Sequence, residues 1–280
     1  MDDRVESAPT TLEALCAHIA QYPSVLVCFS GGVDSAVVLA ASVRALGDRA
    51  AALTTISPSL ANQERAEAEA FARSLGAKHF VEMSEEIDDP NYAANSVRRC
   101  YYCKSELYRI SSKIAGENGF SVVANGTNFD DLGDYRPGLD AAREAGVRSP
   151  MVELKMRKTD VRAVAQELGL SLWDKPAAAC LSSRIPYGTA VTRGRLAQIE
   201  TVESGLRSLG FVQFRVRYHD KIARIEVGTA EIARAASLHV VLTKLVKSAG
   251  FSYATLDLEG YRMGSHNEVI GSPVRLPVIS

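Results

Sequence analysis

The chain has 280 residues, of which 46% are hydrophobic and 23% charged, and its formal net charge is -1. That length suffices for one large or two ordinary domains, and the balance is that of a soluble globular protein. A charge this close to zero gives no field for non-specific nucleic-acid binding, so no nucleic-acid partner is expected. The first ten residues are polar and acidic and contain no apolar signal segment. No apolar run reaches the roughly 18 residues of a membrane span. The expectation is a cytoplasmic protein without membrane contact. Five cysteines in that setting argue for metal binding or catalysis rather than disulfides.

In chain order, residues 11–21 carry apolar side chains at helical spacing and stop before Pro23. Residues 25–29 form an apolar run that reads as a buried strand. A buried helix follows over 34–46, stopped by Gly47. Residues 50–56 read as a strand, 60–75 as a helix rich in Ala and Glu, and 78–82 as a third strand. Residues 84–99 read as a loop leading to a helix over about 103–116. A fourth strand is expected over 120–124 and a further helix over 161–168. Alternating strands and helices indicate an α/β fold with a doubly wound, mostly parallel sheet. After Pro186-Tyr187-Gly188 the pattern changes. A helix over 192–209, strands over 211–218 and 222–227, a helical stretch over 229–248 and a strand over 251–258 make a smaller α+β arrangement. The expected division is therefore 1–188 and 189–280.

The first strand and helix meet at Ser30-Gly31-Gly32-Val33-Asp34-Ser35. Glycines let backbone N–H groups approach a ligand closely. The first N–H groups of a helix lack partners within the helix and carry roughly half a positive charge. Strand, glycine turn and helix start together make a phosphate site. Ser30, Asp34 and Ser35 add side-chain groups to it. The Walker pattern is excluded, because no Lys-Ser/Thr pair follows Gly32. The dinucleotide fingerprint is excluded, because no third glycine comes before Gly47. At the end of the fourth strand stand Asn125, Gly126, Thr127 and Asn128, followed by Asp130 and Asp131. The paired carboxylates suit Mg²⁺, which prefers oxygen ligands and accompanies ATP phosphates. Asp134-Tyr135-Arg136-Pro137-Gly138 extends that loop and is expected to close over the site.

Cys16 and Cys28 lie in apolar patterns and read as core filler. Cys100 and Cys103 are separated by two residues, and Cys180 stands far along the chain. Three thiols admit a [4Fe-4S] cluster with one open iron, a redox disulfide at Cys100/Cys103, ordinary surface thiols, or zinc with a fourth ligand. Cys180 has basic neighbours in sequence, Lys175 and Arg184, which favour the thiolate that a sulfur nucleophile needs. Arg215 and Arg217 share one face of a strand. Two guanidiniums side by side suit a phosphate or carboxylate, and an exposed polar face is the alternative. Glu200, Glu203 and Glu226 could bind metal, but as glutamates on helices and strands they read as solvated.

The stretch Ser30 to Ser35 resembles the PP-loop of the ATP pyrophosphatases (the adenine nucleotide alpha hydrolase-like fold). That family's loop cradles the pyrophosphate of ATP while AMP is transferred. The wider set of motifs is similar to the LarE family of ATP-dependent pyridinium-3,5-biscarboxylic acid mononucleotide sulfurtransferases. It runs through "RRCYYCKSELY", "NGTNFDDLGDYRPG", "VRSPMVELKMRKTDVR", "WDKPAAACLSSRIPYGTAVT", "RVRYHD" and "GYRMGSHNE". The resemblance implies that ATP adenylylates a substrate carboxylate and that sulfur at Cys180 then displaces AMP, twice per substrate. It implies ATP contacts from Ser30, Gly31, Gly32, Asp34, Ser35, Gly126, Thr127 and Asn128, with Mg²⁺ at Asp130 and Asp131. It implies substrate contacts from Arg184, Arg215 and Arg217, the last two holding the nucleotide phosphate. With Cys100, Cys103 and Cys180 the chain looks like the three-cysteine type, whose thiols are thought to hold a [4Fe-4S] cluster with an extra sulfide on its open iron. In the single-cysteine type the cysteine gives up its own sulfur. A homo-oligomer is expected. The rivals are a PP-loop tRNA thiolase, which shares the chemistry, an amide-forming PP-loop ligase, and a nucleotide-binding sensor with a regulatory cysteine site.

Overall fold

The computed structural model describes residues 11–133, 137–175 and 179–262. The chain divides into two compact units, Met1–Ala179 and Cys180–Ser280. The first unit contains α1 (Leu12–Ile19), β1 (Val25–Cys28), α2 (Val33–Leu46), β2 (Ala50–Ile56), α3 (Asn62–Ser74) and β3 (Lys78–Met83). It continues with α4 (Pro90–Ala93), α5 (Arg99–Asn118), β4 (Val122–Ala124), α6 (Pro137–Glu144), α7 (Pro150–Glu153) and α8 (Lys158–Glu167). The strands form one parallel sheet in the order β3-β2-β1-β4.

Period-two alternation sends the side chains of the central strands to two cores. Val25, Val27, Ala50 and Ala52 pack with α1, α2 and α8. Leu26, Ala51 and Leu53 pack with Ile110, Ile114 and Ala115 of α5. Helices on both faces give the doubly wound α/β arrangement expected from the sequence. Burying each such Leu, Ile or Val contributes about 1.5–3 kcal/mol. α2 is apolar nearly all round because it is buried nearly all round. That burial fixes where its first turn lies, at the carboxyl end of β1.

The second unit contains α9 (Arg193–Ser208), β5 (Phe214–His219), β6 (Ile222–Val227), α10 (Ile232–Ser237), α11 (His239–Ser248) and β7 (Tyr253–Leu256). β5 and β6 are antiparallel, and β7 joins β6 in parallel. Leu196, Ile199, Val202 and Leu206 form the buried stripe of α9. Gly205 admits α11: a Cβ there would stand 2.5 Å from both methyl carbons of Leu245.

Three expectations need correction. The helix expected from 103 begins at Arg99, so Cys100 and Cys103 both lie on it. The loop before it contains α4, which Asp89 caps by accepting the Asn91 amide at 2.8 Å. The helical stretch expected over 229–248 is broken at Leu238 into α10 and α11. The loop expected to close over the site lies at 134–136 outside the described residues, and Pro137 and Gly138 open α6.

Gly126, just beyond β4, lies against the start of α2. A Cβ on Gly126 would lie 2.5 Å from the Ser35 nitrogen, 2.6 Å from its Cα and 2.8 Å from the Asp34 carbonyl carbon. All three are backbone atoms of a buried helix and cannot yield. Gly126→Ala is expected to lower the melting temperature by roughly 2–10 °C, an overpacking cost of about 1–3 kcal/mol, and to weaken ATP binding. Calorimetry and an ATP isotherm check this. Unchanged values would mean that the approach is not rigid.

Candidate active site

The nucleotide loop is built by short polar bonds around two glycines. The Phe29 amide donates to the Leu53 carbonyl at 2.8 Å and ends the strand pairing. Gly31 takes φ +79, a left-handed conformation open to glycine without strain. Gly32 is the N-cap of α2 and offers no side chain to it. The Ser35 hydroxyl donates to the Gly32 carbonyl at 3.0 Å and accepts the Ser30 amide at 3.2 Å. The Ser30 hydroxyl lies 3.1 Å from it. The serines therefore shape the turn from inside, and the helix's first amides keep the role of anion donors.

Asp34 faces this turn from the first turn of α2. Lys158 Nζ donates to both of its carboxylate oxygens at 2.6 Å, and Asn128 Nδ2 donates to Oδ1 at 3.2 Å. Lys158 opens α8, and its own amide donates to Asp130 Oδ2 at 2.8 Å. Asp131 Oδ2 accepts the Asn128 amide at 3.1 Å, and Asn128 Oδ1 accepts the Asp130 amide at 3.0 Å. The Thr127 amide donates to Asn125 Oδ1 at 3.0 Å. The structure thus brings Ser30, Gly31, Gly32, Asp34, Ser35, Gly126, Thr127, Asn128, Asp130 and Asp131 to one end of the parallel sheet. Among the described residues no three His, Cys, Asp or Glu side chains form a ready metal cage. Asp130 and Asp131 fit the other mode of Mg²⁺, one or two carboxylates completed by phosphate oxygens and water.

The sequence reading left Lys158 unassigned. Its signal was present, a basic residue opening a helix in a segment after the fourth strand. The partner, Asp34, is 124 residues away and invisible to local pattern. Lys175, read from sequence as a neighbour of Cys180, forms ion pairs at 2.7 Å with Glu64 and Glu67 of α3.

In the second unit Cys180 is exposed and precedes a 3-10 turn over Leu181–Arg184. Arg184 folds back over that turn. Its Nη1 donates to the Cys180 carbonyl at 3.0 Å and to the Ser183 hydroxyl at 2.9 Å. Its Nε and Nη2 fork onto Glu203 at 2.9 and 3.0 Å. Glu203 also accepts the Val216 amide of edge strand β5 at 3.0 Å. Arg217 donates through Nε to Glu226 Oε1 at 3.0 Å and through Nη1 to the Ser183 carbonyl at 3.1 Å. Arg224 Nη2 reaches the same Glu226 oxygen at 3.1 Å. Glu203 and Glu226 are 4% and 1% exposed, so the expectation that they are solvated is overturned. Each is buried because it answers buried arginines. Glu226 Oε2 is buried with no hydrogen-bond partner among the described residues.

Arg215 differs from its neighbours. Among the described residues no carboxylate forms an ion pair with it. Its Nη1 donates to the Phe214 carbonyl at 2.7 Å, and its guanidinium lies 5.1 Å from the Tyr261 ring centre. Burial, then the charge of Arg184, pushes it below the usual guanidinium range, with Arg217 adding to the effect. Phe214, Val216 and Tyr218 form the packed opposite face of β5, whereas Val212 precedes the strand and is 88% exposed.

Cys100, Cys103 and Cys180 are in no disulfide, and the first and last are exposed. Cys100 and Cys103 stand one turn apart in the opening turns of α5. Cys28 is buried and Cys16 packs against the core, as core filler would.

Comparison with known proteins agrees with this geometry. Residues 10–123 match the family model described as asparagine synthase. An uncharacterised protein of Synechocystis is 44% identical over 262 residues, which cover 92% of this chain and 97% of that protein. The pyridinium-3,5-bisthiocarboxylic acid mononucleotide synthase of Lactiplantibacillus plantarum is 40% identical over 262 residues, covering 93% and 95%. A tRNA-specific 2-thiouridylase of Azorhizobium caulinodans is 32% identical over 54% of this chain and 48% of its own length. With a nucleotide loop of PP-loop form and a match of this length and identity, the chain belongs to the pyridinium-3,5-bisthiocarboxylic acid mononucleotide synthase (LarE) family of PP-loop enzymes.

Proposed function

We propose that the chain is an ATP-dependent sulfurtransferase that converts the carboxylates of pyridinium-3,5-biscarboxylic acid mononucleotide to thiocarboxylates. The observation that carries this is the match to the Lactiplantibacillus plantarum synthase over 93% of the chain. The product supplies the nickel-pincer nucleotide cofactor. The likeness to a tRNA thiouridylase reflects shared adenylation and sulfur transfer. It spans about half of that enzyme, and a net charge of -1 gives little attraction for RNA.

A carboxylate resists thiolation because its departing group would be an oxide. ATP removes the obstacle. The amides of Gly32 and the first turn of α2 receive the β- and γ-phosphates. A substrate carboxylate oxygen attacks the α-phosphorus, the bond to the bridging oxygen breaks, and pyrophosphate leaves. Asp130 and Asp131, with phosphate oxygens, would hold the Mg²⁺ that offsets the charge of this transfer. Lys158 keeps Asp34 paired beside the same phosphates. Sulfur presented at Cys180 then attacks the acyl carbon, and AMP departs with the pair of electrons from the broken C–O bond. Where the sulfur is the cysteine's own, loss of its α-proton then breaks the Cβ–Sγ bond, which releases the thiocarboxylate and leaves dehydroalanine. Holding both reactants in place supplies up to about 7–11 kcal/mol of such a barrier. Arg184 fixes the Cys180 carbonyl and so holds the backbone from which the thiol projects. Arg215, which among the described residues has no carboxylate partner, binds the phosphate of the mononucleotide, with Arg184 and Arg217 adding positive field. The reaction runs once on each carboxylate.

Cys100, Cys103 and Cys180 match a [4Fe-4S] cluster in kind and number, three cysteines outside any disulfide for three irons. When bound, such a cluster would supply sulfide from outside the polypeptide, where a lone cysteine would surrender its own sulfur.

Cys180→Ala is expected to abolish thiocarboxylate formation while keeping substrate-dependent pyrophosphate release within a few fold of wild type, measured by mass spectrometry and a pyrophosphate assay. Thiocarboxylate from this variant would remove Cys180 from the sulfur-transfer step. Arg215→Met is expected to raise the KM for the mononucleotide by roughly tenfold or more, the worth of one charge-assisted hydrogen bond, with the KM for ATP unchanged. Equal rises in both would assign Arg215 to the fold instead. Anaerobic reconstitution is expected to load about four irons per chain on the wild type and none stably on Cys100→Ala. Iron-free wild type would leave the sacrificial route.

A further inference from the structure

Lys175 stands five residues before Cys180 in sequence, yet its ammonium group serves the nucleotide loop. Nζ lies 2.7 Å from Glu64 Oε2, 2.7 Å from Glu67 Oε2 and 3.4 Å from the carbonyl oxygen of Gly31. The side chain is 20% exposed. Burial alone would push its charge off, but the hydrogen bonds it donates to Glu64 and Glu67 hold the ammonium above its ordinary range. Both glutamates lie in the opening turns of α3, and α3 lies against the loop. The Cβ that Gly31 lacks would stand 3.3 Å from Ala68 Cβ and 3.6 Å from the Glu64 carbonyl oxygen.

We propose that Lys175 is a positioning residue for ATP, holding the Gly31–Gly32 peptide with its carbonyl toward α3 and its N–H toward the pyrophosphate moiety. The Gly31 carbonyl and the Gly32 N–H belong to one planar unit and point in opposite directions. Fixing one fixes the other. In the structure the Gly32 N–H donates to the Ser30 hydroxyl at 3.4 Å, inside the turn. Glycine on both sides leaves this peptide free of the Cβ contacts that would otherwise hold its orientation. Inverted, it would present a carbonyl oxygen to the phosphates, and the loop would repel the anion it exists to bind. A lysine anchored by two carboxylates is a stiff donor, because its ammonium has no freedom to follow the carbonyl inward. The glutamates therefore act as the anchor, and the single bond to Gly31 acts on the ligand.

The inference rests on the PP-loop reading alone, and its test uses no pyridinium substrate. Lys175→Met and the triple variant Glu64→Gln/Glu67→Gln/Lys175→Met are made in the full chain. The triple variant removes the donor without stranding two carboxylates, so it separates positioning from charge balance and from folding. Isotherms are recorded for Mg-ATP, inorganic pyrophosphate and AMP. Both variants are expected to bind ATP and pyrophosphate roughly tenfold more weakly or worse, as for one lost bond to a charged donor, and AMP within about twofold of wild type. Recovery of ATP affinity in the triple variant would mean that Lys175 only neutralises the glutamates. AMP falling in step with ATP would mean a general collapse of the site. Either result overturns the proposal.

Discussion

The nucleotide end of the molecule depends on a helix whose first amides no side chain caps. α2 is buried on nearly every side, so its position follows from core packing and not from its ligand. Its N-terminus is thereby set at the end of β1 with the helix dipole pointing outward. Natural helices usually answer that end with Ser, Thr, Asp or Asn at the N-cap. Here Gly32 stands there, and the serines on either side bond to each other and to the loop backbone instead. The donors are left for a phosphate. Gly126 then brings the end of β4 against the same turn without a Cβ between them, so loop and helix form one rigid wall.

The carboxylates in this wall are hydrogen-bonded before any ligand arrives. Asp34 is answered by Lys158, and Asp130 and Asp131 are answered by backbone amides. A polyphosphate entering such a site adds several negative charges to these carboxylates, and Lys158 is already paired with Asp34. That is the physical reason a divalent cation belongs with the nucleotide here. The second unit solves the opposite problem. It buries arginines, which is costly, and pairs each of two with its own glutamate. Removing one partner of such a pair strands a charge, at a cost of about 3–5 kcal/mol. The pairs therefore hold two guanidiniums in fixed places near Arg215, which among the described residues has no ion pair with a carboxylate.

What was legible from the amino acids follows the range of the interactions. The parallel sheet was readable because β1, β2 and β4 are short, mostly apolar runs, β3 follows Gly76-Ala77 directly, and each helix repeats locally. The nucleotide loop was readable because its chemistry is contiguous, residues 30–35. The start of α5 was misplaced because Arg99-Cys100-Tyr101-Tyr102 carries no cap signal. That helix begins instead from a backbone turn in which the Arg99 amide donates to the Ser96 carbonyl at 2.9 Å. Glu203 and Glu226 were misread as solvated because burial of a charge depends on a partner distant in sequence. Glu203 meets Arg184 from 19 positions away, and Glu226 meets Arg217 across a strand pair. Lys158 and Lys175 were missed or misassigned for the same reason, with partners 124 and 111 positions away.

The shifted start of α5 changes what the paired cysteines can do. In a loop, two thiols separated by two residues can close on each other or point anywhere. On a helix, residues three apart lie on one face, about one turn apart, in fixed relation. Both side chains then offer sulfur in the same direction, and neither is consumed in a disulfide. They also sit in the opening turns, where the helix carries its positive end. An anionic ligand set is favoured there by the same peptide dipoles that favour phosphate at α2. The first unit thus opens two helices on groups suited to the positive end of a helix: glycine amides at α2 and a pair of thiols at α5.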